Sequence, residues 1–152
     1  MARIRIIISG ANGFLGSCIS KFLKSKDYSI SYLRRNDINE IVNSDFFKNN
    51  KFNFFNSIPI LNQEYDFFIH AAAIPHYECE NSKEDAIAIN TKLTDFLACY
   101  CQLNNICFVF LSTVQVYGSN LNGEYTENSK LNPETIYSKS KRAAELKIIE
   151  RI

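Results

Sequence analysis

Tyr137 and Lys141 stand four residues apart in the run Tyr137-Ser-Lys-Ser-Lys141. On a helix that spacing puts both side chains on one face, while Lys139 turns away. A phenol titrates near pH 10 and is a poor base at neutral pH. A neighbouring ammonium favours the phenolate and lowers that value. Such a pair can exchange a proton with a substrate hydroxyl or carbonyl. A second source of chemistry is Phe110-Leu-Ser112-Thr113-Val-Gln-Val-Tyr117-Gly118, which closes an apolar run. Ligands of parallel sheets bind at the carboxyl ends of strands, so the hydroxyl of Ser112 or Thr113 can bond a reacting oxygen there.

A third constellation is Gly10-Ala-Asn12-Gly13-Phe14-Leu15-Gly16, directly after the apolar run 4–9. In this spacing one glycine permits the turn, one lets the backbone approach phosphates, and one lets helix and strand pack closely. Asn12 tolerates the unusual backbone angles of such a turn. A glycine turn that opens a helix offers a pyrophosphate its backbone N–H groups and the positive end of the helix dipole. The loop therefore predicts a dinucleotide site, and a bound nicotinamide would carry the hydride that accompanies the proton of Tyr137. An acid at the end of the second strand holds a ribose 2′-hydroxyl, and an arginine accommodates a 2′-phosphate. Leu33 is followed by Arg34 and Arg35, which favours NADP over NAD.

The elements that must position these residues alternate. Strands are expected at 3–9, 29–33, 51–55, 66–71 and 107–112. The first helix is expected at 14–25, with Leu15, Ile19, Phe22 and Leu23 on one face. A second should start at a capping box, Asp37-Ile-Asn-Glu40, and run to 48. Ser82 should cap a long helix to 104, with Ala86, Ile89, Leu93, Phe96, Leu97 and Tyr100 at helical spacing. After a loop at 113–131, Asn132 reads as the N-cap and Pro133 as the first residue of a last helix, 133–152. Alternation with buried apolar strands predicts an α/β fold, a Rossmann-type doubly wound parallel sheet of strand order 3-2-1-4-5.

Bulk properties exclude other classes. The chain has 152 residues, enough for one domain, and is 46% hydrophobic, as globular proteins are. A net charge of +1 provides no field for nucleic acid, and no apolar run reaches membrane-spanning length. The first strand begins at once, without a signal segment, so the expected location is cytoplasmic. The five cysteines lack a metal or disulfide spacing, and only His70 and His76 could join them; reduced core thiols and no metal are expected.

Taken together, these segments resemble the extended short-chain dehydrogenase/reductases, the NAD-dependent epimerase/dehydratase group. The resemblance covers essentially the whole chain: the loop 10–16, the segment Asp66-Phe-Phe-Ile-His-Ala71-Ala72-Ala73, Asn90, Ser112-Thr113-x-x-Val116-Tyr117-Gly118, and Pro133-x-x-x-Tyr137-x-x-x-Lys141-x-x-x-Glu145. It implies that Tyr137 is the acid/base and that Lys141 lowers its pKa and binds the nicotinamide ribose. It also implies that Thr113 bonds the substrate oxygen, and that the 66–73 segment, with Ala71, Ala72 and Ala73, and Asn90 serve the cofactor. Substrates of the group are mostly nucleotide-activated sugars, and members often dimerise through helices equivalent to 82–104 and 133–152.

Three departures follow. Dehydratases of the group carry an Asp-Glu pair where this chain has Val114 and Gln115, which favours an epimerase or a reductase. The acid expected near the adenine is Asn56, whose amide can still donate and accept. Members are about twice as long, so the chain is expected to be the cofactor half of an enzyme whose later strands and substrate domain lie elsewhere. The competing expectation is a dinucleotide-binding module without catalysis, or an inactive fragment.

Overall fold

The computed structural model describes residues 3–49, 58–119 and 124–151. The apolar runs form four parallel strands: β1 (Arg5–Ser9), β2 (Ser29–Leu33), β3 (Phe67–His70) and β4 (Cys107–Phe110). Their order is β2-β1-β3-β4. Ile6 lies opposite Ile30 and Phe67, and His70 lies opposite Ser9 and Phe110. The strand expected at 51–55 lies outside the described residues; the four others keep the expected neighbours in a Rossmann-type α/β fold.

The chain forms two compact units. One comprises Met1–Ala73, Phe96–Leu111 and Arg151; the other comprises Ile74–Asp95 and Ser112–Glu150. In the first, Ile7, Ile8 and Phe68 are completely buried at the centre of the sheet. The Asp66 carboxylate accepts the Arg5 backbone N–H at 2.7 Å and meets its guanidinium at 3.3 Å, tying β1 to the start of β3. Helix α1 (Phe14–Lys24) packs on β1 and β2. Its buried residues are Gly16 and Ser20, whereas Leu15 and Phe22 are exposed, contrary to the apolar face the sequence suggests. The glycine requires close approach, and a bulky residue at its position would hold the helix away.

Helix α2 spans Arg35–Asn43, and its N-cap, Arg34, lies three residues before the expected cap Asp37. Asp37 sits inside its first turn, and its carboxylate accepts the Arg34 N–H at 2.6 Å. A side chain that reaches back to the N-cap amide is the other half of a capping box, so the acid marked the right turn in the wrong position. The short α3 (Asp45–Lys48) follows. Phe47 packs edge-on against Phe96 with ring centres 5.9 Å apart, and the Tyr100 hydroxyl donates to the Leu61 carbonyl at 2.8 Å.

The second unit contains α4 (His76–Cys79) and α5 (Lys83–Ala86), the latter capped by Ser82 as expected. From α5 the helix continues with π winding over Ile87–Leu93 before α-winding resumes in α6 (Thr94–Leu103). A 3-10 helix spans Val114–Tyr117, and α7 spans Ile136–Ile149. The N-cap of α7 is Thr135, not Asn132: Thr135 Oγ1 accepts the Ser138 N–H and Ser138 Oγ accepts the Thr135 N–H, both at 3.0 Å. Asn132 is held elsewhere, its N–H on the Val116 carbonyl at 2.9 Å and its amide on Glu134 at 3.0 Å. Among the described residues, no helix is long and apolar enough to cross a membrane.

Candidate functional site

The first unit brings the glycine loop to the carboxyl ends of β1 and β3. Gly10 has φ +73°, and a Cβ there would lie 2.5 Å from the Ala72 nitrogen. A Cβ on Gly16 would collide with the Gly10 carbonyl oxygen, which also accepts the Gly13 N–H at 3.0 Å. Gly13 is the N-cap of α1 and offers no side-chain cap. The amides of Phe14, Leu15 and Gly16 are therefore the first-turn donors that a helix leaves without partners in itself. Asn12 is exposed beside them. Across from the loop, Ala71 N–H donates to the Ser9 carbonyl at 3.1 Å and Ala72 N–H to Ser9 Oγ at 3.4 Å. Ser9 Oγ also meets His70 Nδ1 at 2.5 Å, and the His70 ring stacks between Phe108 and Phe110. Arg34 and Arg35 are exposed just past β2. Asn56 lies outside the described residues.

In the second unit, Tyr137 stands in the first turn of α7, half-buried, edge-on to His76 with ring centres 6.2 Å apart. The Thr113 hydroxyl, which accepts the Gln115 N–H at 3.3 Å, lies near enough to the phenol to lower its pKa. Burial raises the phenol above its ordinary value, the nearby Cys79 adds to this, and the Thr113 hydroxyl opposes both. Lys141, one turn on, is 2% exposed. Burial lowers its ammonium from 10.5 to about 8, against the pull of Glu145. The phenol is thus raised and not lowered as the spacing suggests, because its burial outweighs the effect of Thr113.

Asn90 is buried in the π-wound segment. It accepts the Ile74 N–H at 2.7 Å and donates to the Ile74 carbonyl at 3.1 Å and to Ser140 Oγ at 3.0 Å. Thr91 adds a bond to the Ser140 carbonyl at 2.9 Å. Ser112 and Thr113 separate in role: the Ser112 hydroxyl is taken by Glu145, and Thr113 faces the phenol.

The sequence matches the family described as NAD dependent epimerase/dehydratase over residues 6–150. The chain belongs to the NAD dependent epimerase/dehydratase family. A dTDP-4-dehydrorhamnose reductase from Clostridium acetobutylicum is similar in structure, with TM-score 0.79 and 28% identity over 97% of this chain and 49% of that one. The reductase of the same name from Bacillus anthracis, solved in complex with NADP, gives 0.79 and 26% over 99% and 50%. A UDP-Glc/GlcNAc 4-epimerase from Campylobacter jejuni gives 0.76 and 22% over 97% and 49%, a likeness of fold. The chain spans about half the length of these structures. No curated protein matches it.

The fold of this epimerase/dehydratase family chain gathers Gly10, Gly13, Gly16, Ala71 and Ala72 at one sheet edge, and Thr113 and Tyr137 at one end of α7. Three neighbours of Tyr137 and Asn90 escape a reading of motifs: His76, Cys79 and Ser140. Ser140 alone leaves a trace in the sequence, as a small residue directly before Lys141 on the face that meets another helix.

Proposed function

We propose that the chain carries the dinucleotide-binding part and the proton-transfer residues of an NADP-dependent reductase acting on a keto sugar attached to a nucleotide. The observation that carries this reading is the half-buried Tyr137 beside Thr113, its phenol held by burial above its ordinary pKa. A phenol that keeps its proton at neutral pH is a general acid, the group a carbonyl needs as it is reduced. Val114 and Gln115 supply no acid/base pair for elimination of water, and the similar structures above 25% identity bear the name of dTDP-4-dehydrorhamnose reductases.

The residues present suit a nicotinamide dinucleotide. At Gly10 and Gly16 any side chain would fill the space the turn needs, and the first-turn amides of α1 offer the pyrophosphate its donors. Arg34 would hold a 2′-phosphate, Arg35 assisting. Ala71–Ala73 would border the cofactor, and Asn90 would serve it through Ile74 and Ser140. Bound, the nicotinamide supplies a hydride. Thr113 orients the substrate carbonyl oxygen, and Tyr137 gives that oxygen its phenolic proton as the carbon is reduced. Lys141, with a pKa of about 8, can return a proton to the phenolate near neutral pH.

Calorimetric titration with NADPH and NADH tests the first half of the reading: tighter binding of NADPH is expected, and no binding of either overturns it. In an enzyme containing the whole chain, Tyr137→Phe should lower turnover by about 10²–10⁴-fold with cofactor affinity kept. Equal loss of both would refute the acid assignment. Interconversion of sugar epimers without net oxidation of NADPH would replace reductase by epimerase.

A further inference from the structure

We propose that Glu145 is a positioning residue, which holds Ser112 so that Thr113 is set against the Tyr137 phenol. The inference rests on the reading above for its consequence, but its geometry stands alone. Glu145 lies on α7, eight residues after Tyr137. Its Oε1 accepts the Ser112 hydroxyl, and its Oε2 accepts Arg142 Nη1 at 2.9 Å. The two ionic side chains are only 20% and 26% exposed, so this pair is not a solvated surface contact of the kind that contributes little. Arg142, three residues back on the same helix, fixes the rotamer of the carboxylate and leaves its other oxygen for Ser112.

Ser112 and Thr113 are consecutive, and each hydroxyl is held. Glu145 on α7 takes the hydroxyl of the first, and the hydroxyl of the second accepts the Gln115 N–H at 3.3 Å. Two holds on adjacent residues leave the peptide between them little freedom to rotate. Thr113 Oγ1 is then committed in direction, and the cap it makes on the Gln115 N–H at 3.3 Å keeps the following 3-10 helix in step. The carboxylate also borders, with Ser112, Thr113, Tyr117 and Tyr125, a cavity of about 300 Å³. Movement of Thr113 would thus change the wall of that cavity as well as its approach to the phenol. Glu145 touches no reacting atom in this arrangement; it positions Thr113 through Ser112, and its charge separately raises the Lys141 ammonium.

Substitutions that separate the acceptor from the charge provide the test. Glu145→Gln keeps an oxygen for the Ser112 hydroxyl, whereas Glu145→Ala and Ser112→Ala break the bond from either side. In the isolated chain, the proton–proton Overhauser contact between the Thr113 methyl and the Tyr137 ring should weaken in both alanine variants and survive in Glu145→Gln. In an enzyme containing the chain, the alanine variants should lose about tenfold or more in kcat with little change in KM, as misplacement of a reacting group does. Should Glu145→Ala not fold, Ser112→Ala, which removes one hydroxyl, decides. An undiminished contact in Ser112→Ala, or an unchanged kcat in Ser112→Ala, which keeps the Glu145 charge beside Lys141, would overturn the proposal. Weakened contacts without turnover of any keto-sugar nucleotide would leave the clamp standing and refute the reductase.

Discussion

Lys141 is 2% exposed and its ammonium is lowered from 10.5 to about 8, chiefly by burial. The unfolded chain keeps that proton to about pH 10.5 and the folded chain only to about pH 8. More protons are bound unfolded than folded within that window, so stability rises with pH between 8 and 10.5 and is least below 8. Lys141→Met should therefore raise the melting temperature at pH 7 and flatten the rise, the difference being at most roughly 3 kcal/mol. Melting curves from pH 7 to pH 10 check this, and a destabilised methionine variant at pH 7 would refute it. The spacing of Tyr137 and Lys141 was plain in the sequence; their burial was not. Spacing on one helix says which side chains share a face, but only the packed neighbours say what that face meets, and here desolvation reverses the expected direction for the phenol.

Helix ends and windings carry the second kind of information. Thr135 caps α7 through a reciprocal pair with Ser138, so Thr135→Ala should cost about 1 kcal/mol in urea unfolding. Asn90→Ala removes both bonds to Ile74 and the bond to Ser140 from a buried position, and should cost about 2–3 kcal/mol. A smaller loss for Asn90→Ala than for Thr135→Ala would show that the buried amide is not a clamp. The strands were legible because apolar runs such as 6–8 and 107–111 suit a parallel sheet, although only β1 is buried along 6–9 while β4 alternates between exposed and half-buried positions. The cap was not, because Asn132 and Thr135 are both good N-caps, and the choice depended on Val116 and Glu134, which claim Asn132. The π winding left no mark either: Ala86, Leu93 and Phe96 are completely buried, as the spacing for an ordinary helix suggests, but Ile89 is only half-buried and Asn90 takes a buried place beside it.

For the chain as a whole, the glycine loop makes stability depend on ligand. A dinucleotide that binds only the folded chain should stabilise it by about 2.7 kcal/mol at a hundredfold excess over Kd. Gly10→Ala should abolish that response, since a Cβ would strain φ +73° and press on Ala72. Removing both arginines in Arg34→Ser with Arg35→Ser should weaken NADPH by about tenfold or more and leave NADH nearly unchanged, the loss expected for a charged hydrogen bond. Thermal melts with each dinucleotide measure both effects. An equal shift by NADPH in the double variant and the parent would remove the arginines from the site.

The π-wound segment has one more consequence. A π turn spends one residue more per hydrogen-bonded ring than an α turn, so Ile87–Leu93 holds spare length. Deleting one residue there lets ordinary pairing resume and turns the preceding helical turn, Lys83–Ala86, by about 100° about the helix axis. Such a shortened chain should keep its helical circular dichroism while the Asn90 side chain swings away from Ile74. The segment is therefore a counting device: the seating of Asn90 on Ile74 depends on the number of residues between Ser82 and Leu93, and a length change of one is a larger event there than most substitutions.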